Sequence, residues 1–161
     1  MKIRQEETTP FRHNKLKILL IGGEGYIGNV VAQNLIENGS AVSSYDNLLY
    51  QNHQCVLNKI HSKNFHFVYG DMLNDEKLES AIALADVVVL LAGLVGDPIT
   101  KKYPKESALI NDKGVKKVID LCAKQNVENF IFISTCSNYG LIKDDELAHE
   151  KFELNPLSLD A

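Results

Sequence analysis

Short apolar runs rich in β-branched residues alternate along the chain with longer stretches whose apolar positions recur every three or four residues. LKILLIG is a continuous apolar run closed by glycine, the pattern of a strand buried on both faces. Ile27, Val30, Val31 and Leu35 then recur at helical spacing until Asn38 and Gly39 end the helix. AVSSYD reads as a second strand, Gln51 to Lys63 as a helix, FHFVYGD as a third strand and Lys77 to Leu84 as a short helix. ADVVVLLAG is the most β-branched run and reads as a central strand. Pro104 to Gln125 reads as one long helix, with Val115, Val118, Ile119 and Cys122 on its apolar face and Lys113, Lys116, Lys117 and Lys124 on a solvated one. VENFIFIST supplies a fifth strand. Strands joined by crossover helices pair in parallel, so the pattern predicts a doubly wound α/β sheet of about five strands in the order 3-2-1-4-5.

The chain has 161 residues, 45% of them hydrophobic and 24% charged, which is ordinary usage for one domain with its own core. Residues 1–15 are polar and contain Pro10, and are expected to form a flexible arm before a domain spanning 16–161. A net charge of −4 argues against a nucleic-acid partner, because phosphate backbones select for dense Lys and Arg. Cys55, Cys122 and Cys136 are odd in number, without CxxC spacing, and read as reduced thiols, two of them buried. His53, His61, His66 and His149 are scattered without metal-ligand spacing, and the Asp144-Asp145 pair belongs to a solvated loop. No apolar run reaches the roughly 18 residues of a membrane span, and a cytoplasmic protein is expected.

Chemistry first shows in IGGEGYIGNVV, where Gly22, Gly25 and Gly28 stand between the first strand and the first helix. A phosphate approaches a backbone closely only where Cβ is absent, and a helix N-terminus adds free N–H groups and the positive end of its dipole. This predicts a Rossmann-like dinucleotide site. Asp46 ends the second strand about 20 residues further on, where a carboxylate accepts hydrogen bonds from the adenosine ribose and repels a 2′-phosphate. NAD is therefore expected over NADP.

With GGEGYIG, YDNL, Gly70-Asp71, LLAGLVGDP, NDKGV and FISTCSNYG in order between about residue 17 and residue 159, the chain resembles the N-terminal part of an extended short-chain dehydrogenase/reductase. The branch it resembles is the NAD-dependent epimerase/dehydratase family acting on nucleotide sugars. The resemblance implies that Gly22, Gly25, Tyr26, Ile27 and Gly28 hold the cofactor's pyrophosphate and that Asp46 and Asn47 hold its ribose. It implies further that Asp71 and Met72 flank the adenine, and that Leu91, Ala92 and Gly93 line the nicotinamide half. Asn111 resembles the family's helix-borne asparagine, structural in role and near the active site. Thr135, ahead of Tyr139-Gly140, resembles the catalytic Ser/Thr, whose hydroxyl donates to the sugar during hydride transfer. The dehydratase branch places Asp-Glu after that residue; here stand Cys136 and Ser137, which disfavours water loss. No basic neighbour in sequence activates Cys136, which reads as a passive loop cysteine.

The resemblance also implies that LNPLS leads to a catalytic tyrosine and, four residues later, a lysine. Where the tyrosine is expected stands Asp160, one residue before the end of the sequence. The chain is therefore expected to be truncated before the Tyr/Lys helix and the C-terminal substrate lobe. It would bind NAD without completing an epimerase or reductase reaction, or serve as a non-catalytic NAD module acting through a partner. Self-association is expected, through the fifth strand or the helix Pro104 to Gln125.

Overall fold

In a computed structural model, which describes residues 15–142 and 147–156, the apolar run at the start of the domain becomes β1 (Lys17–Ile21). Alternate side chains of a strand face opposite ways, and here both directions are core. Leu19 and Ile21 join Tyr45, Met72, Leu78, Ile82, Val88, Leu90, Val118 and Cys122 on one side of the sheet. Ile18 and Leu20 join Ala32, Val42 and Val89 on the other. β2 (Ala41–Asp46), β3 (Phe65–Tyr69), β4 (Val87–Leu90) and β5 (Asn129–Phe132) complete a parallel sheet in the order β3-β2-β1-β4-β5. The doubly wound fold and its strand order stand as the sequence predicts.

The helices depart from the reading in instructive ways. α1 (Tyr26–Glu37) agrees with it. The helix expected over Gln51 to Lys63 shrinks to α2 (His53–Leu57), of which only Val56 is buried. Leu48 and Gln51 hold φ of 54° and 56°, and Lys59 turns inward to bond α1 and the glycine loop, so the stretch is used for cross-links and not for a helical stripe. α3 begins earlier than expected, at Asp75–Ala83. An unforeseen α4 (Asp97–Lys102) follows Gly96, which stands at φ 95°, with Pro98 in its first turn, where a missing N–H costs nothing.

The helix expected over Pro104 to Gln125 is three pieces: α5 (Pro104–Ala108), a π-helical segment (Leu109–Gly114) and α6 (Val115–Lys124). The wide turn coincides with Asn111, whose side chain bonds Leu94, and with Gly114, where a Cβ would lie 2.5 Å from Met72 Cε. Of the lysines expected on a solvated face, Lys113, Lys116 and Lys124 are exposed, Lys124 pairing with Glu79 at 2.7 Å, while Lys117 is half-buried and donates to the carbonyl of Leu73. Of the three free thiols only Cys122 is fully buried; Cys55 is half-buried and Cys136 exposed, which corrects the expectation of two buried cysteines. β5 is an edge strand among the described residues, and beyond it a 3-10 turn spans Cys136–Tyr139. The expected N-terminal arm, apart from Lys15, lies outside the described residues, as do Asp144, Asp145 and Asp160.

Candidate functional site

The strands β1 and β4 are neighbours whose following connections leave in opposite directions along the sheet, and a cleft opens at their carboxyl ends. The backbone is drawn tight there. The amide of Gly22 donates to the carbonyl of Tyr45 at 2.8 Å, and those of Leu91 and Ala92 both reach the carbonyl of Ile21 at 2.9 Å. Gly22 holds φ 83°, and a Cβ on it would stand 2.6 Å from Ala92 N, so a side chain would part the two strand ends. A Cβ on Gly28 would meet Gly22 O at 2.5 Å; its absence seats the first turn of α1 against the loop. Gly25 differs from both. As N-cap of α1 it has φ −68° and ψ 176°, open to any residue, and within 4 Å its Cβ would meet only Gly22 O, at 3.3 Å. Its bare face looks into the cleft, beside first-turn amides that no side chain caps.

On the β2 side both oxygens of Asp46 are engaged, Oδ1 by the amide of Leu48 at 2.8 Å and Oδ2 by the amide of Glu24 at 2.9 Å. The carboxylate thus ties the glycine loop to the end of β2, and each oxygen keeps a second lone pair for a hydroxyl donor. Asn47 donates to Asp71 Oδ2 at 3.4 Å. Beneath them Tyr45 is buried, its hydroxyl donating to the carbonyl of Asp71 at 2.8 Å, and its ring leaves no room for a Cβ on Gly70. Burial, with the nearby charge of Asp71 second, pushes the Tyr45 phenol up to about 12.

The cleft is open to solvent and holds a cavity of about 120 Å³. Its wall contains Gly22, Gly25, Asp46, Asn47, Asp71, Met72, Leu91, Ala92 and Gly93, nine residues singled out from sequence that the fold brings to one place. Three others are not in the wall. Tyr26 is 97% exposed and Ile27 exposed on the first turn of α1, and Gly28 is a packing position behind the loop. Thr135, three residues past the end of β5, is also outside it. Its Oγ1 accepts from the amide of Ser137 at 3.2 Å and so caps the 3-10 turn, while the hydroxyl keeps its proton to donate. Asn111 accepts from the amide of Leu94 at 2.9 Å and donates to its carbonyl at 2.7 Å, clamping the connection after β4 that forms the cleft's far wall. Among the described residues no group of His, Cys, Asp and Glu could hold a metal ion.

A statistical model of the NAD dependent epimerase/dehydratase family matches residues 18–159. The chain belongs to that family. It is 30% identical over 131 residues to a UDP-glucose 4-epimerase of Klebsiella pneumoniae, covering 78% of this chain and 93% of that protein. It is also 30% identical over 145 residues to an inverting UDP-N-acetylglucosamine 4,6-dehydratase of Campylobacter jejuni, covering 86% of this chain and 42% of that one. Among solved structures, the UDP-glucuronic acid 4-epimerase of Bacillus cereus in complex with UDP-glucuronic acid and NAD superposes with a TM-score of 0.81 at 26% identity. There the match covers 89% of this chain and 47% of that one. The chain is thus an N-terminal NAD-dependent epimerase/dehydratase-family domain, spanning less than half of the dehydratase and of the solved epimerase.

Set against the family's glycine motif, two residues of this site carried no signal in the sequence reading. Glu24, inside the glycine loop, is fully buried and ion-paired with buried Lys59 at 3.0 Å. Asn52, in the cleft wall, donates to the backbone carbonyl of Glu24. A carboxylate among glycines was the available clue, since a charge there needs a partner if the loop is packed. A tyrosine four residues before a lysine does occur, at Tyr139 and Lys143. Tyr139 closes the 3-10 turn with its ring edge-on to Phe152, and Gly140 follows at φ 67°. Lys143 lies outside the described residues.

Proposed function

We propose that residues 16–161 form the NAD-binding unit of a nucleotide-sugar epimerase or reductase. The observation that carries this reading is the bare face of Gly25, open to the cleft at the N-terminus of α1, with the Asp46 carboxylate bonded to the same loop in the cleft wall. The residues present fit the cofactor. The backbone at Gly22 and Gly25, with the first-turn amides at Tyr26 and Ile27, would hold the pyrophosphate, and Gly28 would let helix and loop approach. Asp46 and Asn47 would hold the adenosine ribose, Asp71 and Met72 would flank the adenine, and Leu91, Ala92 and Gly93 would line the nicotinamide half.

NAD, when bound, supplies a reversible hydride acceptor. The apolar Leu91 and Ala92 exclude water from that end of the cleft, and Asn111 fixes the wall they belong to. Thr135 would orient a sugar hydroxyl by donating its O–H, the proton that its bond from the Ser137 amide leaves free. With Cys136 and Ser137 following it, no carboxylate comes directly after Thr135 in sequence to take a proton from carbon, so hydride exchange is favoured over water loss. The nucleotide sugar is the substrate class that this reading implies.

Calorimetric titration tests it. NAD should bind more tightly than NADP, because a 2′-phosphate would meet the charge of Asp46. Asp46→Ala should weaken NAD by about 1–3 kcal/mol, the cost of a lost charge-assisted hydrogen bond, and should narrow the difference between the two cofactors. Equal affinities of the unmodified chain for NAD and NADP would remove Asp46 from this role.

A further inference from the structure

We infer that the buried Glu24–Lys59 pair is the positioning device of the glycine loop, acting on the dinucleotide's phosphates through the loop backbone without touching them. The inference rests on the cofactor reading above. Glu24 stands between Gly23 and Gly25, and the side chains of Lys59 and Glu24 are 1% and 0% exposed. Lys59 Nζ donates to Glu24 Oε2 at 3.0 Å, to Asn29 Oδ1 at 2.6 Å and to the carbonyl of Cys55 at 2.7 Å, which uses all three protons of the ammonium. The ring of Phe65 lies 5.4 Å from the same nitrogen.

The backbone of Glu24 is gripped as well. Its amide donates to Asp46 Oδ2 at 2.9 Å, and its carbonyl accepts from Asn52 Nδ2. One loop residue is therefore held by the end of β2, by the connection that follows it and by the tail of α2, while Lys59 also holds the first turn of α1 through Asn29.

Stability does not account for this arrangement. Apolar residues of the same volume serve a fold as well as a buried ion pair or better, because both charges leave water. Glu24 Oε1 is moreover buried without a hydrogen-bond partner. What the pair supplies that packing cannot is direction. It fixes the Gly23-Glu24-Gly25 peptides before a ligand arrives, so the ordering of the loop is not subtracted from binding. The dependence should appear with ligands that carry the diphosphate and not with those that lack it.

The test replaces the pair by apolar isosteres, Glu24→Leu with Lys59→Met, in the full 161-residue chain. NAD, ADP-ribose and adenosine are titrated into the original and the variant, and thermal midpoints are recorded. The expected result is a midpoint unchanged or raised, NAD and ADP-ribose weakened at least tenfold, and adenosine altered less than threefold. A folded variant that binds NAD like the original overturns the inference, as does an equal loss for all three ligands, which would mean general loosening. Should the double variant not fold, Asn29→Ala decides, since it removes one acceptor from Lys59. A threefold or greater loss for NAD at an unchanged midpoint supports the inference, and unchanged affinity overturns it. An original chain that binds no NAD overturns the cofactor reading and this inference with it; binding that the variants leave intact overturns this inference alone.

Discussion

Replacing Gly25 by valine separates the two uses of a glycine-rich loop. The backbone at this position is extended, with φ −68° and ψ 176°, so a branched residue meets no torsional penalty, and its Cβ has one neighbour, Gly22 O at 3.3 Å. The stability cost is that of losing a tolerated N-cap residue, about 1 kcal/mol, which lowers the melting temperature of a chain this size by about 2–4 °C. Binding suffers more. The two added methyl groups occupy the space over the uncapped amides of α1. A phosphate displaced from two such amides loses bonds worth about 1.5–3 kcal/mol each, about 3 kcal/mol at least for the two, hence a loss of hundredfold or more. Fluorescence titration with NADH beside differential scanning calorimetry measures both effects. Gly28→Ala is the counter-experiment, because its Cβ would lie 2.5 Å from Gly22 O and should cost about 1–3 kcal/mol of stability by overpacking. A Gly25→Val protein that melts near the original and still binds NADH with the original affinity would show that the loop is a turn and nothing more.

Alkaline pH should destabilise the fold in a definable window. Tyr45 is raised from 10.0 to about 12 and Cys122 from 9.0 to about 11, both chiefly by burial, so their protonated forms stabilise the folded state below pH 9 and that contribution fades as pH climbs toward 12. Urea midpoints measured from pH 8 upward should fall more steeply for the original chain than for Tyr45→Phe with Cys122→Val, and parallel curves would exclude the two groups as the cause. The edge at β5 should drive association, because Ile131 is 47% and Phe132 48% exposed along a strand that, among the described residues, has one unpaired side. Light scattering across micromolar concentrations should show mass rising with concentration; a constant monomer mass with slow amide exchange over residues 130–133 would refute it.

The strands were legible because a parallel sheet buries both faces, and runs such as LKILLIG and ADVVVLL declare that burial directly. The glycines and Asp46 were legible through spacing and the connection after β4 through the family resemblance; all stand at strand ends, and strand ends of one sheet converge. What stayed hidden were interactions across long separations. Lys59 reads as a surface lysine in any local window, yet it is buried on Glu24, 35 positions away in sequence. The breaks in the long helix were hidden for the same reason. Asn111 bonds Leu94, which no periodicity of the helix itself reports. Thr135 was placed by motif order, and its capping of the turn to Tyr139 became visible only with the coordinates.

The wide turn at Leu109–Gly114 sets the rotational phase of the helix that follows. One residue more than an α-helical turn would hold shifts every later position by about 100° around the axis. Asn111 bonds the cleft wall from within this turn, while Val118 and Cys122, on the helix that follows, meet the sheet. The segment therefore couples the cleft wall, held through Asn111, to the phase at which the next helix packs on the sheet. Its length, more than its composition, is what links the packing of α6 to the shape of the cleft, so removing a single residue there would disturb both without altering any side chain in either.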